Sequence, residues 1–397
     1  MQDVVIFDGN RRFRDKGTDV ILEYGFSNFF SFKEEAVISF RLDANCPASI
    51  SKGLSYATIM GVKGANGSGK TQLLKGLSFL SHFCTDSFNL KPDELIGIES
   101  FYNSKSPTEF FIEFQEKSAV YRYEISLTET EVKRETLFRT VKKRIKLFER
   151  IGNTISERTN ALEQLDTLKL RKNASIISTG NQYEIKGIQE IYSFFRQIYS
   201  NVVYSGHSDS MEMGAVAQYL STDSSALDFV RTFISECDSG ISNITISSYK
   251  DKENKDVYFP LFEHEANGIK HHLNDLAESS GTKTLFRWLP LYFIALSLGG
   301  VLIVDEMDMN LHPHILPKIL QLFLDDEINR SGAQLLFATH DSEILETLGR
   351  YRTYLVAKEE NESFAYRLDE IPGDILRNDR AIRPVYNSGR IGGVPRV

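Results

Sequence analysis

Apolar residues along this chain fall into three kinds of run. From Phe101 to Leu127 they alternate with polar ones, as in Glu109-Phe-Phe-Ile-Glu-Phe114 and Tyr121-Arg-Tyr-Glu-Ile-Ser126, which predicts antiparallel strands. Short continuous runs predict strands at Tyr56–Val62, Val301–Val304 and Gln334–Thr339, the first apolar enough to be buried and parallel. Helical spacing governs Gln72–Leu80, Ile185–Phe195 and the stretch from Thr284 to Leu296. The segment Trp288–Val304 carries no charge and approaches the length of a membrane span. Gly299-Gly300 divides it, however, and Asp305-Glu306 follow at once, so a buried helix leading into a buried strand is expected. No heptad array long enough for an extended coiled coil is present, and no internal repeat stands out.

Between the first buried strand and the first helix lies Gly64-Ala-Asn66-Gly67-Ser68-Gly69-Lys70-Thr71, which matches G-x-x-x-x-G-K-[ST]. Strand before and helix after are the context this phosphate-binding loop requires. Its glycines let backbone N–H groups close around a phosphate at the positive end of the helix. Lys70 would reach the β- and γ-phosphates of ATP, and the Thr71 hydroxyl would ligate Mg²⁺. Val301-Leu-Ile-Val-Asp305-Glu306 supplies the second half, a hydrophobic strand ending in two carboxylates. Asp305 is placed to hold the Mg²⁺ shell, and Glu306 to act as general base toward the attacking water. Two further segments add to this. Ser279-Ser280-Gly281 opens a helix N-terminus, a second anion-binding device. His340 ends the strand Gln334–Thr339, within reach of a γ-phosphate.

In this order the motifs resemble those of ABC-type ATPases, in particular the SMC- and OLD-like branch. The resemblance covers roughly residues 20 to 395. Ser279, Ser280 and Gly281 look like a variant of the signature motif, with Ser280 in place of its usual first glycine. His340 looks like the switch histidine, and Met309-Asn-Leu-His312-Pro313 occupies the place of the D-loop. Phe26-Ser-Asn28-Phe29-Phe-Ser31-Phe32 resembles the N-terminal "NFxSF" strand beside the adenine, which makes Asn28 a nucleotide-binding residue. Gln115 is the candidate Q-loop glutamine. The resemblance implies an α/β P-loop ATPase head with a mixed central sheet, an antiparallel β subdomain and a mainly helical insertion. It also implies two chains sandwiching two ATP molecules, as a homodimer or a higher homo-oligomer, each P-loop facing the other's signature.

The loop and the Asp305 strand are far apart, so something is inserted. Residues 1–134 are expected to hold the N-terminal part of the ATPase domain, 135–200 the insert, and 201–397 the C-terminal part. Lys133 to Arg150 is rich in Lys and Arg; a solvated face is the default reading, and contact with nucleic-acid phosphates the sharper one. His312-Pro-His314 lacks a third ligand at metal-binding spacing, and His271-His272 reads as a solvated turn. Overall, 54 acidic residues outweigh 46 basic ones, giving a formal net charge of -8, which argues against a generally basic nucleic-acid coat. Three cysteines lie far apart, so neither a disulfide framework nor a cysteine zinc site is suggested. A cytoplasmic location without a membrane partner is expected, the first residues lacking a signal-peptide pattern.

Stand-alone bacterial ATPases with this motif set resemble those of abortive-infection, RloA-like and PARIS-type anti-phage systems. That resemblance implies a sensor or switch subunit with a separate effector, often a Toprim-type nuclease. Few residues follow His340, and no acidic nuclease constellation lies among them. The alternative is a RecF- or SMC-like ATPase of DNA repair or chromosome maintenance. A transporter ATPase fits less well, given the variant signature and the insert. The tail Tyr386-Asn-Ser-Gly389-Arg390-Ile-Gly392-Gly393-Val-Pro395 resembles the "GRYGAVP" tail of the same bacterial ATPases, with no chemical role evident from sequence.

Overall fold

The computed structural model describes residues 19–203, 206–207, 211–238, 240–372, 375–376 and 381–393. The start of the chain and its last four residues lie outside them, as do Arg377, Arg380 and Arg396.

The first elements among the described residues are β1 (Val20–Ser27) and β2 (Ala36–Ser39), a short α1 (Ala48–Ser51) and β3 (Ile59–Gly64), which leads into α2 (Lys70–Asp86). Next come β4 (Thr108–Glu116), β5 (Ala119–Leu127), β6 (Val132–Thr140), β7 (Arg144–Ile151) and β8 (Thr154–Arg158). Together with β1 and β2 they form one antiparallel sheet in the order β2-β1-β4-β5-β6-β7-β8. Strict alternation of buried and part-buried residues along β5 explains why it pairs on both edges yet covers the core on one face only. Residues 135–158, expected at the start of a mainly helical insert, lengthen this sheet instead. The helical expectation holds for the second half, where α3 (Ile176–Gln182) and α4 (Ile188–Arg196) follow.

Most of the basic residues of Lys133–Arg150 are paired with carboxylates of the same sheet. Lys133 meets Glu131, Arg134 and Lys146 meet Glu149, and Lys146 also meets Glu157. Arg150 is fully buried against Glu135 at 3.2 Å and donates to the carbonyls of Gly152, Arg171 and Ala174. Glu135 also accepts from Tyr123 Oη and the Ile176 N–H, so this pair bolts the loop before α3 to β6 and β7.

The chain continues through β9 (Ile198–Ser200), β10 (Val202–Val203), β11 (Gly206–His207), α5 (Met213–Thr222) and α6 (Ser224–Cys237). A three-stranded meander of β12 (Ile241–Lys250), β13 (Asp256–Ala266) and β14 (Ile269–Asn274) follows. His271 and His272, read from sequence as a turn, lie in β14 opposite His264 and Glu263. Then come α7 (Ser280–Leu298), β15 (Val301–Val304), α8 (Ile315–Leu324), β16 (Gln334–Ala338), α9 (Ile344–Leu348), β17 (Thr353–Glu359), β18 (Glu362–Arg367) and α10 (Ile382–Asn387). Gly299 caps α7 at φ 71°, a conformation that favours glycine, and so separates the helix from the strand as the sequence predicts. Among the described residues no helix is long and apolar enough to cross a membrane.

The second large sheet has the order β18-β17-β3-β16-β15-β9, parallel throughout except for the edge strand β18. Its inner strands are apolar on both faces because both are covered. Val301 and Ile303 join the core that holds α2 and the antiparallel sheet, while Leu302 and Val304 join the core of α5 to α8. Gln334, fully buried, ties the two sheets together. Its Oε1 accepts from the Ile21 N–H at 2.6 Å, and its Nε2 donates to the carbonyls of Ile21 and Ala57. The architecture is therefore mixed α/β, with a central parallel sheet, an antiparallel sheet stacked beside α2, and helical insertions.

Candidate functional site

The parallel sheet sets the site. β3, β15 and β16 run in the same direction, so their carboxyl ends, carrying Gly64, Asp305 and Thr339-His340, converge at one edge. That edge is where open α/β sheets bind ligands.

The loop from Gly64 to Gly69 wraps the start of α2. Gly67 and Gly69 have φ of 73° and 113°. A Cβ on Gly64 would come within 2.4 Å of the Val356 carbonyl, so the loop is packed from outside. Asn66 and Gly67 face solvent, whereas Ser68 is buried. Ser68 Oγ has no hydrogen-bond partner, a buried polar atom left for a ligand to satisfy. The Lys70 ammonium folds back onto the carbonyls of Gly64 and Ala65 at 3.0 and 3.2 Å. Burial lowers its pKa, against the opposing pull of Asp305, Asp308 and Glu306. It is a desolvated cation facing three carboxylates, arranged to exchange carbonyl partners for phosphate oxygens.

Thr71 Oγ1 donates to Asp305 Oδ2 at 2.5 Å. These two residues, 234 positions apart, are thus brought within one ligand sphere. Hydroxyl and carboxylate oxygens are the donors Mg²⁺ takes, so the set fits that ion with water and phosphate completing its shell. Asn201, just past β9, fixes the aspartate. Its Oδ1 accepts from the Asp305 N–H at 2.7 Å, and its Nδ2 donates to the Asp305 carbonyl at 3.0 Å. Glu306 adopts φ 51°, rare for a residue with a side chain, and its carboxylate is exposed. The turn is stabilised by Asp305 Oδ1, which accepts from the Glu306 N–H. Such strain next to a metal-ligand candidate is typical of functional positions.

Beyond β15, Asp308, just before the segment Met309–Pro313, accepts from the His340 N–H at 3.1 and 3.2 Å and so ties the end of β15 to the strand-end histidine. The His340 carbonyl accepts from Lys63 Nζ at 2.7 Å, and the imidazole faces solvent. Ser279 and Ser280 stand exposed at the N-terminus of α7. Ser279 Oγ caps the helix by accepting from the Thr282 N–H, and a Cβ on Gly281 would lie 3.0 Å from the Asn310 carbonyl. Ser279 and Ser280 thus present outward, while Gly281 packs close to the Asn310 backbone of the same chain.

The N-terminal motif meets the loop differently from the sequence expectation. Asn28 (φ 54°) bonds the carbonyls of Ser106 and Pro107 and the Phe101 N–H, holding the β1–β4 connection. Closer to the loop are Ser31 and Phe32. Ser31 Oγ bonds Gln72 Oε1 and Ser363 Oγ, and Ser363 Oγ in turn donates to the Ser68 carbonyl at 2.7 Å. Phe32 lies against Gly69. Gln115 pairs with Val20, at the end of β1 remote from Asn28, and donates to the Lys117 carbonyl, so it does not reach the site. Lys63, Asn201, Asp308 and Ser363 also line the site, none of them singled out by a sequence motif. Only Asp308 carried a usable signal, its fixed place after Asp305-Glu306.

Residues 59–346 match the family model described as "AAA domain, putative AbiEii toxin, Type IV TA system". None of the curated proteins matches the chain. Among solved structures it is similar to the SMC head domain from Thermotoga maritima, at 12% identity and TM-score 0.44, covering 87% of this chain and 98% of that one. It is also similar to the Smc head domain bound to the C-terminal domain of ScpA from Pyrococcus furiosus, at 11% identity and TM-score 0.43, covering 89% and 97%. The Smc head domain with a coiled coil and joint from Pyrococcus yayanosii gives 11% identity and TM-score 0.46, covering 93% and 99%.

Proposed function

Because the chain belongs to the AAA-domain family whose model spans its residues 59–346, we propose that it is an ATP-hydrolysing switch whose ATP site is completed by a second copy. The observation that carries this is the meeting of Thr71 and Asp305 beside a phosphate loop whose buried Ser68 hydroxyl lacks a partner. The N–H groups of Asn66, Gly67, Ser68 and Gly69 and the Lys70 ammonium hold the phosphates. Thr71 and Asp305 would hold Mg²⁺, which would screen the phosphate charge. Glu306 takes the proton of the water that attacks the γ-phosphorus, and the bond to the β-phosphate oxygen breaks to release ADP. His340 contacts the γ-phosphate and senses its loss. Ser279 and Ser280 face outward, which supports their serving, with Gly281, a partner's nucleotide rather than their own. Lost γ-phosphate contacts then weaken the two-copy state.

The process this switch serves has two readings. The resemblance of its motif set to the SMC-like branch of ABC-type ATPases supports ATP-gated engagement of two heads, in a RecF- or SMC-like role in DNA repair or chromosome maintenance. That reading follows more directly from the ATPase core than does the anti-phage reading with a separate effector, often a Toprim-type nuclease. The anti-phage reading is supported by the toxin–antitoxin description of the family. Phosphate release by the purified chain, with and without duplex DNA, separates them. Turnover raised by DNA and weakened by salt favours the first reading. Phage restriction that needs a co-expressed neighbouring effector, with no DNA stimulation, favours the second. Absence of any ATP turnover overturns the proposal.

A further inference from the structure

Lys63 is the penultimate residue of β3, 4% exposed, and the chemistry above gives it no task. Its ammonium donates to the His340 carbonyl at 2.7 Å, while Asp308 accepts from the His340 N–H. The peptide groups on both sides of the sensor histidine are thus gripped, one from the D-loop side and one from the strand feeding the phosphate loop. The imidazole itself is exposed, so its aim depends on these backbone contacts.

Lys63 has a neighbour on its far side. Its Nζ lies 5.2 Å from the centre of the Tyr386 ring, in α10. Tyr386 is buried, and its Oη donates to the Gly393 carbonyl at 2.9 Å. Arg383, also in α10, bonds Glu346 through its N–H and Glu343 through its guanidinium. Glu346 lies in α9 and Glu343 just before it, in the segment that follows His340 directly. From β18, Tyr366 Oη donates to the Ile391 carbonyl. Gly392, at φ 73°, leaves no room for a Cβ beside that hydroxyl. Residues 381–393 are therefore tied to Lys63, to the segment that follows His340 and to β18. Burial pulls the Lys63 ammonium down to about 8, against the pull of Asp308 and Asp341, so the ring and the carbonyl are important partners for a poorly solvated cation.

We propose that Lys63 is a positioning residue for the γ-phosphate sensor, and that the C-terminal segment 381–393 sets its position through Tyr386. This rests on the reading of His340 given above. It assigns a role to the Gly-Arg-Ile-Gly-Gly tail: the tail backs the lysine that holds the histidine. A change at the tail then reaches the nucleotide without touching it.

The test is a double-mutant cycle on the full chain with Lys63→Met, Tyr386→Leu and both together, measuring kcat, KM and the Kd of a fluorescent ATP analogue. Misplacing a reacting group by a fraction of an ångström to 1 Å lowers kcat by about tenfold to a hundredfold. The Lys63→Met loss should fall in that range with Kd changed by less than about threefold, a split that separates positioning from lost binding. Tyr386→Leu should lower kcat in the same direction, and the double variant should lose no more than Lys63→Met alone. Lys63→Arg, which can still donate to the carbonyl, should restore most of the rate. Additive losses, or a Tyr386→Leu kcat equal to that of the native chain, overturn the proposal. If Lys63→Met does not fold, Tyr386→Phe against Tyr386→Leu decides it. Phe keeps the ring and should retain the rate better; equal rates overturn it. If the native chain binds ATP but does not hydrolyse it, the hydrolysis reading has failed, and hydrogen exchange reads the positioning instead. Amides 340–342 should exchange faster in Tyr386→Leu than in the native chain, and unchanged exchange overturns the proposal.

Discussion

Asn201→Ala tests whether Asp305, the proposed Mg²⁺ ligand, is placed by a residue that would not itself touch the metal. Asn201 is 3% exposed and Asp305 2% exposed, so water does not readily replace a lost partner. The native amide pairs both backbone groups of Asp305, at 2.7 and 3.0 Å. Removing it leaves one buried N–H and one buried carbonyl without that partner, each costing about 1–3 kcal/mol. The variant should therefore be destabilised by about 2–6 kcal/mol, the upper end applying if nothing relaxes into the gap. The Thr71 contact depends on where the Asp305 carboxylate lies, so the Mg²⁺ concentration for half-maximal phosphate release should rise by about tenfold to a hundredfold, the usual effect of losing a partner behind a metal ligand. The assay is phosphate release against Mg²⁺ at saturating ATP, alongside a urea unfolding curve. A variant that is less stable but keeps the native Mg²⁺ requirement would refute the reasoning, because Asn201 would then only hold the fold.

Three other outcomes follow from the same geometry. Lys70→Ala should abolish ATP binding or turnover, since the phosphate charge loses its fixed counter-charge; equilibrium binding of a fluorescent ATP analogue checks it. Arg150→Met should destabilise the chain by about 3–5 kcal/mol by leaving Glu135 buried without its cation. Burial already raises the Glu135 pKa and Arg150 opposes that rise, so the variant's raised pKa is higher still. A raised carboxyl pKa stabilises below its unfolded value and loses that contribution as pH rises through the folded one. The stability deficit relative to the native chain should therefore shrink between neutral pH and about pH 4.5, as urea midpoints at the two pH values will show. His340→Ala should lower kcat more than it weakens ATP binding, readable as a fall in kcat at near-constant KM.

The parts of the site legible in the sequence are those where one chemical task uses consecutive residues. A phosphate cradle needs its glycines, lysine and threonine in a fixed local order, so Gly64–Thr71 announces itself. The Val301–Glu306 run does so because a buried parallel strand ends in the acids it delivers. Asn201 and Lys63 were not legible. Asn201 follows a strand of only three residues, too short for a periodic signal, and acts on a residue 104 positions away. Lys63 differs from any lysine only through its partners on β16's far end and α10. The meander was misjudged at His271-His272 because β14 is exposed along its whole length and so carries no alternation. The segment 135–158 could not be assigned to the sheet because its membership depends on pairing with β5, which local pattern does not specify. Its basic residues looked free in sequence, yet Lys146 and Arg150 meet carboxylates on neighbouring strands and Arg144 meets Glu124 of β5.

The central claim is that ATP joins two copies of this chain until Glu306 allows hydrolysis. Glu306→Gln keeps the shape of the side chain and removes the base. Light scattering after size exclusion, with ATP and Mg²⁺, should report a mass of twice the chain or more for Glu306→Gln, and a lower mass for Lys70→Ala under the same conditions. Identical masses for the two variants would contradict the claim.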